Sequence, residues 1–171
     1  MDELAVSRQQ KDTFFAQDPQ SPLTLPQKQG FQGLDYFPEA PELRFEIPIE
    51  RLSEKQEIRI QTSTGDFQQY HKYGKIHFPV DGQMVELTIY ANQHGFFLPF
   101  VDSLSGTETY PAGRYLEPEP LPDGKFLIDF NQAYNPYCAY NEHWSCPLTP
   151  YENRLKIPIS AGEKVFLHQV S

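Results

Sequence analysis

The sequence predicts a mostly β fold, an antiparallel β-sandwich or partly open barrel with an N-terminal helix and a proline-rich arm. Three observations predict it. Short runs between residues 43 and 169 alternate apolar and polar side chains at period two. Turn signals such as Asp81-Gly82 and Asp123-Gly124 separate these runs at intervals of about ten residues. Helical runs do not alternate with them, so a parallel sheet has no crossovers to build it.

The chain has 171 residues, which fits one domain with a sizeable core. Its parts are a helix over 1–18, a proline-rich arm over 19–42, and a β domain over 43–171 that contains a long loop at 129–153. Only 39% of residues are hydrophobic, but 13 are Phe and 10 are Tyr, so large rings can fill the core. The net charge is −9 and the basic residues form no block. Nucleic acid and anionic membrane surfaces are therefore not expected as partners. No apolar run has membrane-spanning length, and MDELAVSRQQ lacks the basic and apolar regions of a signal peptide. The expected location is the cytoplasm.

The elements follow in order. Asp2 to Gln17 has good helix formers and no Gly or Pro, with acids in its first turn. Its apolar face is weak, so docking through Phe14 and Phe15 is expected, with fraying at Met1. Asp18-Pro19 and Ser21-Pro22 end it. Residues 19–42 read as irregular chain anchored by Phe31, Leu34, Tyr36 and Phe37. LRFEIPI and EIRIQTS read as strands, with a turn at Thr64-Gly65-Asp66. FQQYHKYGKIHFPV reads as a strand bent at Gly74. Asp81-Gly82 predicts a hairpin into MVELTIY, and Asn92 to Gly95 a turn into FFLPFV. GRYLEP and KFLIDF follow, with a hairpin turn at Asp123-Gly124. RLKIPIS and EKVFLHQ read as the last strands, joined at Ala161-Gly162. That gives roughly eight to ten strands.

The stretch Asp129 to Asn153 stands apart. It holds both cysteines, the only tryptophan, four tyrosines, four asparagines and three prolines. It is too polar for a strand and too rich in proline for a helix. It reads as a long ordered loop pinned between two strands, with Trp144 packing it onto the sheet.

Three stretches, FQGLDYFP with the preceding KDTFFAQDPQSPLT, FVDSLSGTETYPAGRYL, and DFNQAYNPYCAYNEHWSCPLTPYENRLKIPISAGEK, give the chain a resemblance. It resembles a family of uncharacterised bacterial and archaeal proteins, the domain of unknown function numbered sixteen eighty-four. The resemblance implies a stand-alone domain and no particular activity. By position it covers Gly113, Arg114 and Tyr115, then Asp129 to Asn131, Ala133 to Pro136, Cys138, Cys146, Pro147, Asn153, Leu155 and Ala161 to Glu163. It implies no fixed histidine at position 143.

The candidate site residues are Arg114, Tyr115, Asp129, Asn131, Asn135, Cys138, Cys146, Asn153 and Glu163. Each has a bland reading beside a sharp one. Cys138 and Cys146 are buried free thiols, a short disulfide, or, with His143, three ligands of a zinc site completed by His71, His77 or Asp129. No metal or other cofactor is expected; zinc is the weaker alternative. A Cys138 nucleophile served by a histidine base lacks any protease signature. Asp129, Asn131, Asn135 and Asn153 brace the loop's backbone, or form a polar pocket. Arg114 pairs with Glu163 or Asp129, or forks onto a ligand anion. The five histidines form no HxH or HExxH pattern, and glycine-rich phosphate loops and GxSxG are absent.

The functional expectation is a non-catalytic β domain that binds a small molecule or partner between 113–115 and the 129–153 loop. The alternative is a hydrolase-type enzyme, metal-assisted or not, at the same place. A third reading makes the loop only a lid on the core.

Overall fold

The computed structural model describes residues 2–166. Helix α1 runs Glu3–Gln17 and begins where the Asp2 side chain accepts from the Ala5 amide at 2.7 Å. Its one fully buried side chain is Phe15, which packs with Leu23 and Tyr140 as expected of the docking residues. Met1 lies outside the described residues. The arm differs from expectation in one place. Thr24 and Gln27 form a reciprocal capping box, and Pro26 sits early in a short helix α2, Leu25–Gly30. Phe37 is buried, and Phe31 and Leu34 join the Phe15 cluster.

Among the described residues eight strands form two antiparallel sheets that do not close into a barrel. One sheet has the order β1 (Arg44–Pro48), β8 (Lys125–Asp129), β7 (Glu119–Pro120). The other has β2 (Glu50–Gln61), β3 (Phe67–Val80), β4 (Gln83–Asn92), β5 (Gly95–Phe100) and β6 (Arg114–Leu116) in sequence order. The chain passes between sheets at Ile49-Glu50. Gly74 permits this crossing: a Cβ there would lie 2.7 Å from the Glu50 carbonyl and 2.8 Å from the Ile49 side chain. The ladder also slips at this point, between Lys72 and Gly74. The turn residues expected at Asp81-Gly82, Asn92 to Gly95 and Asp123-Gly124 all link antiparallel strands.

Alternate residues of both sheets face one core. Ile76, Phe78, Leu87, Ile89, Leu98 and Phe100 come from the larger sheet, and Phe126, Ile128 and Phe45 from the smaller. The aromatic supply meets there, with Phe130 edge-on to Phe100 at 5.2 Å. The other face of the larger sheet presents Ile60, Tyr70 and Tyr90.

The last two expected strands are a correction. RLKIPIS is extended but carries no ladder, and Arg154 and Glu163 make only isolated bridges to Val101 and Tyr36. Its alternation is real, since Ile159 is fully buried. Backbone bonds tie its start to the segment after β5, the Leu155 amide donating to the Val101 carbonyl at 2.7 Å and the Ser103 amide to the Ile157 carbonyl at 3.0 Å, and a side chain holds its end, where the Ile159 amide donates to Asp102 Oδ2 at 2.8 Å. EKVFLHQ is not a strand over its described part, and residues 167–169 lie outside the described residues. GRYLEP is a strand only over Arg114–Leu116, and a further short strand just after it, Glu119–Pro120, pairs in the other sheet. No helix among the described residues is long and apolar enough to cross a membrane.

Candidate functional site

The loop from Asp129, the last residue of β8, to Asn153 contains three 3-10 turns and no further strand. Its amide side chains act as backbone surrogates. Asn131 accepts from the Ala40 amide at 2.8 Å and donates to the Ala40 carbonyl at 2.9 Å, copying a ladder pair. Asp129 Oδ1 accepts from both the backbone and side-chain amides of Asn131, at 3.0 and 2.9 Å. Asn153 repairs the larger sheet. β4 and β5 pair at Tyr90 and Phe97, so continuing the register puts Thr88 opposite Pro99. Proline has no N–H to give. Asn153 inserts there, accepting from the Thr88 amide and donating to the Thr88 and Pro99 carbonyls, each at 2.8 Å. Asn131 and Asn153 are buried and satisfied, which is what irregular buried chain requires.

Arg114 is 1% exposed. Its donors reach the carbonyls of Ile159, Ala161 and Glu163, alternate residues along one edge of the C-terminal segment. Its carboxylate partner is Asp102 at 3.6 Å, not the expected Asp129, and it meets Glu163 through the carbonyl. Asp102 in turn accepts from Thr109 Oγ1 at 2.7 Å. Burial pulls the guanidinium down to about 10, opposed by Asp102 and Glu163. Tyr115 is buried with its hydroxyl on the Pro147 carbonyl.

Glu163 is the point at which the expected residues converge. It is 2% exposed. Oε1 accepts from the Asn135 amide at 3.0 Å and the Tyr140 hydroxyl at 2.8 Å, and Oε2 pairs with Lys11 of α1. Gly162 lets this segment lie against the loop. Its φ is +79°, and a Cβ would come within 2.7 Å of the Phe130 and Ala133 carbonyls. Tyr36 bridges to Glu163 from the arm, and Arg8 lies over the Tyr36 ring at 4.1 Å while donating to the Asn131 carbonyl at 3.2 Å.

A cavity of about 140 Å³ opens between α1 and the loop, lined by Arg8, Lys11, Tyr36, Asn131, Tyr134 and Glu163 among others. Among the described residues, the buried side-chain polar atoms without a hydrogen-bond partner are Arg8 Nε, Tyr36 Oη and Asn135 Oδ1. All three belong to residues linked to Glu163 directly or through Tyr36. Burial raises the Tyr36 phenol, helped by Glu163 and Asp12, so its hydroxyl keeps its proton as a donor. The sequence reading missed Arg8 and gave Tyr36 and Lys11 no site role. The available signal was the helical spacing Leu4, Ser7, Arg8, Lys11, which puts two cations on one face in an acidic chain.

The other candidates fall elsewhere. Asp129 faces a separate cavity of about 210 Å³ that it shares with Glu117 and Glu119. Cys138 and Cys146 are free thiols beside each other. His143 is exposed, its amide bonded to Asn141. Trp144 packs on Tyr137 at 5.1 Å and reaches the Pro22 carbonyl, so it ties the loop to the arm and not to the sheet as expected. Among the described residues no group of three or more His, Cys, Asp or Glu is placed to hold a metal ion.

The model of a family described as "protein of unknown function (DUF1684)" matches residues 29–164, which include the loop and Glu163 but not α1. The chain is also similar to an uncharacterized protein of Haloarcula marismortui with a solution NMR structure. The identity is 34%, the match covers 98% of this chain and 95% of that one, and the TM-score is 0.73. No curated protein matches.

Proposed function

We propose, from the premise that the chain belongs to the DUF1684 family of proteins of unknown function, that it is a non-catalytic binding domain for a small monoanion such as a short carboxylate. The site is the cavity between α1 and the loop. The observation that carries this reading is the gathering of unpartnered buried polar atoms around Glu163. Unpaired buried donors are costly, at about 1–3 kcal/mol each, and a bound anion would accept from Arg8 Nε and Tyr36 Oη together.

Charge and size support the same chemistry. The lining holds Arg8 and Lys11 against Glu163, one net positive charge in a protein of net charge −9. Asp12 and Glu39 line the adjoining groove beside Arg8, which disfavours multiply charged anions. The cavity volume equals the share of roughly five water molecules at about 30 Å³ each. That suits a ligand of a few heavy atoms.

The test is thermal unfolding in acetate against acetamide at constant ionic strength. Acetate is expected to raise Tm in a saturable way and acetamide to leave it unchanged. Arg8→Gln should abolish the acetate effect and Tyr36→Phe should weaken it. Equal effects of acetate and acetamide, or an unchanged acetate effect in both variants, would overturn the reading.

A further inference from the structure

We propose that Cys138 and Cys146 form a redox-active dithiol that exchanges with small disulfides, Cys138 attacking and Cys146 resolving. This site uses different residues from the anion cavity and does not rest on it. Cys138 is half-buried at the 3-10 turn Tyr137–Ala139, and Cys146 is buried beside the β2–β3 turn. Cys146 is clipped in place on both sides of its peptide. Its amide donates to Ser63 Oγ at 3.2 Å, its carbonyl accepts from the Ser63 amide at 2.9 Å, and the next residue, Pro147, bridges to Thr62.

Two donors face the Cys138 sulfur. The Cys146 thiol hydrogen-bonds to it and the Tyr110 hydroxyl lies 3.7 Å away, while the nearby Ser63 hydroxyl donates to the Trp144 carbonyl at 3.1 Å. Such a pair of donors favours a thiolate, and the thiolate is the nucleophile in exchange. The Cys146 hydrogen bond is the largest influence and brings Cys138 down to about 6, against the opposing effect of burial. The same bond pushes Cys146 up, since it is the donor. Tyr110 and Tyr115, the ionisable rings nearby, are raised by burial and stay protonated. One sulfur of the pair is thus a partly accessible thiolate, and the other is a protonated thiol in contact with it.

The exchange balances with a small disulfide, RSSR, as oxidant. Cys138 thiolate attacks one sulfur, forming a Cys138–SR bond and releasing RS⁻. With that thiolate consumed, the bond that kept Cys146 protonated is gone. Cys146 attacks the Cys138 sulfur, the Cys138–Cys146 bond forms, and the second RS⁻ leaves and takes the Cys146 proton. The dithiol loses two electrons and RSSR gains them. Seven residues separate the cysteines, so the bridge closes a short segment of the loop without involving the sheets.

The experiment incubates the folded full-length chain with oxidised glutathione and follows thiol content and intact mass. Wild type is expected to lose both thiols and two hydrogens of mass without retaining a glutathionyl group. Cys146→Ser should retain one glutathionyl group on Cys138, and Cys138→Ser should stay unmodified. The rate of iodoacetamide alkylation of Cys138 should rise with pH through a midpoint near 6, and Tyr110→Phe should move that midpoint upward. Thiols that stay free in the folded wild type, adducts that accumulate without a bridge, or faster reaction at Cys146 in Cys138→Ser than at Cys138 in Cys146→Ser would each overturn the proposal.

Discussion

Asn153 and Asp129 are both loop residues with polar side chains, yet they carry different loads. Asn153 is fully buried and makes three bonds to a gap in the larger sheet. Its loss leaves an amide and two carbonyls dry. Asp129 is only half-buried, and its bonds run to Asn131, which has other partners. We expect Asn153→Ala to lower unfolding free energy by about 3 kcal/mol and Asp129→Ala by about 1 kcal/mol, measured by urea denaturation. Equal costs would show that Asn153 does not complete the β4–β5 ladder. The sequence identified both residues as bracing or pocket candidates because Asn and Asp serve backbone groups. It could not separate them, because the gap at Thr88 and Pro99 arises from strand pairing across ten residues of chain. Arg114 shows the same limit. Its residue type suggested a fork for an anion, and it is a fork, but for three carbonyls. Nothing local in PAGRYL shows that a distant extended segment will present them.

At the scale of elements, α1 is held by few contacts. It is polar on nearly every face and buries one side chain, Phe15, against Tyr140 edge-on at 5.0 Å. The Lys11–Glu163 pair and the Arg8 bond to the Asn131 carbonyl add polar ties. Phe15→Ala should cost about 3–4 kcal/mol. The loss should be uneven: hydrogen exchange in α1 should become much faster, while amides of β3 and β4 keep their relative protection. Uniform acceleration would show that the helix and sheets open as one unit. The strands themselves were legible wherever period two coincided with paired backbone, as in KIHFPV and MVELTIY around Asp81-Gly82. RLKIPIS was misread because period two reports which side chains are buried, and not what the backbone bonds to. Its backbone is held by bonds to Val101 and Ser103 and by the Arg114 and Asp102 side chains, not by a strand ladder. Helix α2 was missed although Thr24 and Gln27 stand at capping-box spacing, because the density of proline drew the whole arm into one irregular segment.

At the scale of the molecule, the two sheets make the core and the helix, arm and loop close over it. The expected mouth between 113–115 and the loop is filled, since Arg114 and Tyr115 are spent on internal carbonyls. The open polar space lies a layer further out, where α1 meets the loop at Glu163. Half of that site was legible: Asn131, Asn135 and Glu163 were singled out, but Arg8 lay in a helix read only for its apolar face. Sites built by two elements distant in sequence leave no local spacing to find.

The most direct measurement is an NMR titration of the folded protein with acetate, following the arginine Nε–H resonances. The Arg8 Nε–H signal is expected to move and saturate together with the Asn135 amide, while exposed Arg44 changes no more than with added chloride. An Arg8 signal that stays still, or that drifts with Arg44 in proportion to salt, would contradict an anion site at this cavity.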